Sequence, residues 1–183
     1  MFQFLLSCLY FFLPAYFTNM TPPIVKKLGI LKLLNKPIDF NKKFLSQPIF
    51  GFHKTWRGVI FGIIIGMLVT NFQFWLYQFS FFKKISFLDY QKINILFFSF
   101  LISFGAILGD LFFAFIKRRL KMEPGKRFLP FDQTNYVISN AFILTPIFKL
   151  NVNVWLTLFV LTFFLHIIFN RLGFCLGIHK SKW

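Results

Sequence analysis

Acidic residues are scarce. Only Asp39, Asp89, Asp110, Glu123 and Asp132 occur in 183 residues, against 21 Lys and Arg, which leaves a net charge of +16. So few carboxylates exclude a broad acidic face and make each one that is present informative. Cysteine is nearly absent too: Cys8 and Cys175 lie far apart in apolar surroundings, with no C-x-x-C spacing. That excludes a zinc ribbon or dithiol motif and leaves both as packing residues. Met1 to Phe17 lacks a basic start and a small-residue cleavage site, so it reads as a retained membrane helix rather than a secretory signal. A phosphate loop of the form G-x-x-x-x-G-K-[ST] is missing as well, because His53 precedes Lys54-Thr55. No inverted repeat points to a transporter.

What is abundant is apolar surface. The chain is 57% hydrophobic and 22% aromatic, with a mean hydropathy of +0.66. Such a composition predicts one membrane-embedded domain over residues 1–183, all-α and polytopic. The 32 Phe suit lipid-facing positions and carry no functional code. Five apolar segments stand out: Phe2 to Phe17, Val59 to Phe79, Ile93 to Ile116, Tyr136 to Leu150 and Val154 to Asn170. The third, at ~1.5 Å per residue, spans about 36 Å, enough to cross a hydrocarbon core of ~30 Å. The fourth carries Ser139, Asn140, Thr145 and Pro146 and reads as a partial or kinked span covered by its neighbours.

Basic residues set the expected orientation. Seventeen of the 21 fall between Asn19 and Arg57, between Lys117 and Arg127, or after Asn170; the exceptions are Lys83, Lys84, Lys92 and Lys149. Five spans with a cytoplasm-facing polar site follow. A charge excess of this size suits a polyanion, and membrane embedding favours phosphate-bearing lipids and nucleotides over nucleic acid. In the first basic loop, Pro22-Pro23 is expected to end the helix, and the stretch from Ile24 to Lys36 to lie at the membrane interface. Asp39 either orients a basic site or caps a turn.

The candidate chemistry concentrates at three places. Lys54 and Arg57 stand three apart where a helix begins at the membrane edge, a position suited to phosphate oxygens. Asp110 sits inside the third apolar segment, where a charge costs roughly 2.5–3.5 kcal/mol on insertion scales, so it is a functional candidate by default. It lies about 10 Å in from Lys117, Arg118 and Arg119 at ~1.5 Å per residue. Asp132 supplies a second carboxylate after a loop. Mg²⁺ takes oxygen ligands and is commonly held by one or two carboxylates plus the substrate's phosphates, which makes Asp110 and Asp132 the candidate metal ligands. The alternative for Asp110 is an internal ion pair. Gly58, Gly62 and Gly66 form one small-residue stripe, and Gly105 and Gly109 another; the two are expected to pack together. His166 and Asn170 share a helix face, as packing residues or as participants in chemistry.

The segments PAYFTNMTP (Pro14 to Pro22), PIDFNKKF (Pro37 to Phe44), KTWRG (Lys54 to Gly58), GAILGDLFFAFIKRRL (Gly105 to Leu120), PFDQTNYV (Pro130 to Val137) and HIIFNRLGFCLGI (His166 to Ile178) resemble, in this order, the CDP-archaeol synthase family. These are membrane nucleotidyltransferases distantly related to the phosphatidate cytidylyltransferases. The resemblance implies five transmembrane helices, a cytoplasm-facing cavity in the cell membrane and Mg²⁺ dependence. It further implies transfer of CMP from CTP to a lipid phosphate, a geranylgeranyl-ether glycerol phosphate or a related one, with release of pyrophosphate. Lys54, Arg57, Asp110, Lys117, Arg118 and Asp132 would be catalytic, and Asn19, Asp39, Arg119, Gln133 and Asn135 would bind substrate.

Two positions depart from the pattern: Asn135 stands where an Asp is frequent, and Ala114 where a Ser is frequent. A non-catalytic transporter or lipid-binding scaffold, or a decayed family member, are the competing readings. The topology makes a direct prediction: cysteines introduced at Lys83 and at Lys126 react with an impermeant reagent from opposite sides of the membrane. Labelling from the same side would overturn the five-span reading.

Overall fold

Apolar runs in lipid become helices because hydrocarbon offers no partner for a free backbone N–H or C=O, and a helix satisfies both internally. The computed structural model describes residues 1–123, 126 and 128–175. In chain order the helices are α1 (Phe2–Leu28), α2 (Trp56–Leu76), the short α3 (Ser80–Ile85), α4 (Ile95–Arg119), α5 (Phe131–Phe148) and α6 (Val152–Cys175). Among the described residues four helices, α1, α2, α4 and α6, are long and apolar enough to cross a membrane. The polar α5 is the fifth member of the bundle and packs against α4 and α6. It begins earlier than expected, so Asp132, Gln133 and Asn135 lie on its first turns rather than in a loop.

Pro22-Pro23 does not end α1. The helix continues through Pro14, Pro22 and Pro23 to Leu28 and closes on Gly29 in the left-handed region (φ 66). Each proline removes the N–H that would reach the carbonyl four residues back, and at Pro14 a neighbouring helix compensates. Pro14 deprives the Tyr10 carbonyl, and Gln73 Nε2 of α2 donates to that oxygen instead. Tyr10 Oη in turn donates to the Gln73 carbonyl at 3.2 Å. Pro22 deprives the Thr18 carbonyl, which lies against Gly62, while the Pro22 ring lies against Gly58.

The glycine stripes therefore do not face each other. Gly62 and Gly66 receive Thr18 of α1 and Ile107 and Ser103 of α4; Gly105 and Gly109 receive Asn140, Asn135 and Ser139 of α5. A Cβ at Gly66 would collide with Thr18 Oγ1 and Ser103 Oγ, and one at Gly109 with the Asn135 carbonyl. The stripes expected to pair with one another instead seat oxygens on the glycine Cα, where weak Cα–H···O contacts are possible. As a result α4 sits between α2 and α5, with α1 packed against both α2 and α4.

The core lies where α1 meets α5 and α6. Phe12 stacks on Tyr136 with centroids 5.8 Å apart, Phe11 and Phe12 meet Trp155 edge-on, and Tyr16 Oη shares a 2.8 Å hydrogen bond with Thr162. Between α1 and α2 the loop makes a short 3-10 turn and an antiparallel hairpin, β1 (Lys43–Phe44) with β2 (Gln47–Pro48). Leu45 and Ser46 at its tip both have positive φ, as a two-residue hairpin turn requires.

The proline compensation is measurable. Gln73→Leu leaves the Tyr10 carbonyl buried without a donor and should cost about 1–3 kcal/mol. In a Pro14→Ala background the backbone N–H returns, and the same change should cost clearly less. Denaturation of the four proteins in detergent gives the cycle; strictly additive effects would contradict this account.

Candidate active site

Two helix ends build the site. The last turn of α4 carries Lys117, Arg118 and Arg119, and the first turn of α5 carries Asp132. Cations at a helix C-terminus and an anion at an N-terminus are each favoured by the macrodipole. The antiparallel packing of α4 and α5 brings these ends together, and Lys117 Nζ donates to Asp132 Oδ1 and Oδ2 at 3.0 and 2.7 Å. Asp132 Oδ2 also accepts from Phe128 N at 2.9 Å.

Asp110 meets a cation from elsewhere. Lys54 precedes Thr55, whose hydroxyl caps α2 by accepting from Gly58 N at 3.3 Å. From there Lys54 Nζ reaches Asp110 Oδ1 and Oδ2, both at 2.6 Å. Although the two glycine stripes do not pair, Lys54 still reaches the Asp110 helix, whereas Arg57 does not line the cavity. The internal ion pair expected as the alternative for Asp110 is present too, with Lys54 as its partner.

Both pairs line one open cavity of about 590 Å³, counted to its mouth. The walls include Phe113, Ala114, Arg118 and Asn135, and the loop from Phe50 to Lys54 closes it from above. Arg118 is buried; its Nη2 makes a long 3.4 Å contact with the Glu123 carbonyl, and its Nε meets no acceptor. Asn135 is buried as well and its Oδ1 accepts nothing, as is Gln133 Oε1 beside it on α5. Ala114, where a hydroxyl is frequent in the resembling family, contributes only a methyl.

His53 is a lining residue that the motif reading passed over. Its ring lies 3.8 Å from that of Phe52. Burial, then the charges of Lys26, Lys54 and Arg118, hold its imidazole below the usual range. It is therefore mostly neutral at pH 7. The only sequence signal for it was its place immediately before Lys54.

Other sequence candidates stand outside the cavity. Arg57 is buried and donates to the Ile30 carbonyl and to Asn35 Oδ1, both at 3.0 Å, which ties the α1–α2 loop to the start of α2. Arg119 donates to the carbonyls of Phe44, Gln47 and Pro48, and its guanidinium covers the Phe44 and Phe115 rings, clamping the hairpin to α4. Asp39 caps the turn: it accepts from Asn41, Phe50 and Gly51 N–H at 3.0, 2.9 and 3.2 Å. Burial pushes the Asp39 carboxyl up, but these donors together outweigh it and hold it below its ordinary value. Asp39 and Arg119 thus fix the loop that covers the cavity. Asn19 is half-buried on α1 and does not line it; His166 is half-buried on α6, and the Asn170 side chain lies outside the described residues.

The donor set fits an oxygen-seeking cation. Asp110 and Asp132 face one cavity beside the unpartnered oxygen of Asn135; among the described residues no cluster of three or more His, Cys, Asp or Glu occurs, in this cavity or elsewhere. Two carboxylates leave room for the phosphate oxygens and waters that complete a Mg²⁺ shell.

Known proteins resemble this chain in sequence and in fold. A family model described as "CarS-like: CDP-archaeol synthase" matches residues 1–183. A CDP-archaeol synthase of Pyrococcus furiosus is 33% identical over 181 residues, covering 98% of this chain and 95% of the relative. That of Methanocaldococcus jannaschii is 33% identical over 186 residues, covering 100% and 99%. A solved structure presented as "Structural insight into an intramembrane enzyme for archaeal membrane lipids biosynthesis" superposes with a TM-score of 0.70 at 20% identity, over 88% of this chain and 91% of that one, and so shares the fold. With the family matched from end to end, the chain belongs to the CDP-archaeol synthase family.

Proposed function

We propose that this protein transfers CMP from CTP to an archaeal-type lipid phosphate, releasing pyrophosphate and leaving a CDP-lipid in the membrane. The observation that carries the reading is the cavity itself: two carboxylates, two lysines and the buried Arg118 converge at the basic end of a membrane bundle. That end is where water-soluble CTP and a membrane-anchored phosphate can meet. The charge asymmetry of the loops supports the cell membrane as the location, with this end towards the cytoplasm.

An oxygen of the lipid phosphomonoester attacks the α-phosphorus of CTP; the bond from that phosphorus to the β-phosphate bridging oxygen breaks, and pyrophosphate departs with the electron pair. A phosphomonoester is largely dianionic at neutral pH, with a second pKa of about 6, so no general base is needed. The protein supplies alignment and charge, the main contributions in phosphoryl transfer. Lys54, Lys117 and Arg118 meet the triphosphate. Asp110 and Asp132, with Asn135 beside them, would hold Mg²⁺, which would supply further charge neutralisation on the phosphates when bound. Arg57, Asp39 and Arg119 position the covering loop from outside.

Asn135 carries one charge fewer than the frequent Asp and Ala114 lacks a hydroxyl, yet both carboxylates and all three cations remain, which supports an intact site over a decayed one. The charged groups of the cavity gather at one end of the bundle instead of tracing a path through it, which counts against a permeation route.

Asp110→Asn and Asp132→Asn should each lower CMP transfer by at least about 100-fold, the order seen when a charge-stabilising or metal-orienting group is removed. The measurement is pyrophosphate release from CTP and Mg²⁺ with isoprenoid-ether and fatty-acyl lipid phosphates side by side. Activity surviving the double substitution would remove the metal assignment, and no turnover with any lipid would favour a scaffold.

A further inference from the structure

The carboxylates that would hold the metal are already closed by ammonium groups. Lys54 Nζ stands 2.6 Å from both oxygens of Asp110, and Lys117 Nζ stands 3.0 and 2.7 Å from those of Asp132. An ammonium straddling both oxygens takes the face that a divalent cation would use. At such range the two cations repel, so each weakens the other's hold on the carboxylate. Among the described residues no other carboxylate lines the cavity to receive a displaced lysine; the other polar side chains there are the cation Arg118, His53 and the Asn135 amide. A new anion in the same cavity would therefore favour release of both lysines.

We propose that Lys54 and Lys117 are exchangeable counter-ions that make metal and nucleotide binding mutually dependent. With the cavity empty they neutralise Asp110 and Asp132 and keep them from a free metal. When a triphosphate enters, its oxygens draw both ammonium groups away, and the uncovered carboxylates accept the cation that arrives with it. The same four side chains thus serve two pairings, Lys with Asp and then Lys with phosphate beside Asp with metal. The proposal rests on the cytidylyl-transfer reading only for the identity of the anion. By linkage, whatever factor the bound anion adds to metal affinity, the metal adds to anion affinity.

The test uses Mn²⁺ alone as the probe, with the free ion followed by electron paramagnetic resonance on the full chain in detergent and no nucleotide present. Wild type should bind weakly. Lys54→Met and Lys117→Met should each bind at least ten-fold more tightly, and the gain should vanish in Lys54→Met/Asp110→Asn and Lys117→Met/Asp132→Asn. Binding of CTP without metal should weaken in the single lysine variants. Tight Mn²⁺ binding by wild type, or lysine variants that bind it no better, would overturn the proposal. Thermal melting identifies a variant that does not fold, and should one fail, the other pair and the wild-type titration still decide. CMP transfer is read separately, on wild type: transfer by wild type with no gain in metal affinity in the lysine variants contradicts the exchange alone, whereas a gain in the variants with no transfer by wild type leaves the exchange standing and removes the cytidylyl reading.

Discussion

The site depends on two ion pairs at the edge of the membrane bundle, in which a lysine meets each of two carboxylates. Lys54 with Asp110 and Lys117 with Asp132 are partly exposed pairs, each side chain less than about a third open, in a setting where attraction is stronger than in bulk water. Neither pair is local: the partners lie 56 and 15 residues apart. The site exists only because α2, α4 and α5 end at the same level. A chain with five acids has few ways to build such an arrangement, and here two of the five face one cavity, while Asp39 fixes the loop above it.

The rest of the bundle can be understood as the means of holding those ends. Prolines in α1 and glycines in α2 are complementary features: a proline frees a carbonyl and bends the helix, and a glycine or Gln73 on the facing helix receives it. The glycines of α4 do the same for the polar face of α5, so that a helix too polar to face lipid is drawn against a neighbour. Close approach there sets the distance between the α4 and α5 ends, and with it the reach of Lys117 to Asp132. Arg57 and Arg119 act at the loop instead, donating to the backbone carbonyls of Ile30, Gln47 and Pro48.

Much of this was legible in the sequence. Hydropathy located all five bundle helices, and the cost of a buried charge singled out Asp110. The order of the basic and acidic motifs placed Lys54, Lys117, Arg118 and Asp132 in one site. What escaped depends on partners distant in the chain. Pro22-Pro23 reads locally as a stop, and only Gly58 and Gly62 of α2 make a continuous helix tolerable. Small-xxx-small spacing says that a helix approaches closely but not which one, hence the mistaken pairing of the two stripes. Arg57, Arg119 and Asp39 look like site residues by charge; that their hydrogen bonds go instead to the α1–α2 loop is a property of an irregular segment with no hydrophobic period to announce it. His53 carries no motif at all and lines the cavity because Lys54 must.

The central claim is that the nucleotide sits between the α4 and α5 ends beneath the Phe50–Lys54 loop. A photoreactive azido-CTP, crosslinked in the presence of Mg²⁺ and mapped by mass spectrometry, tests it most directly. Labels on the loop from Phe50 to Lys54, on the last turns of α4 or on the first turn of α5 are the predicted result. Labels at the opposite end of the bundle, around the pocket beside Lys149 and Asn151, would contradict it.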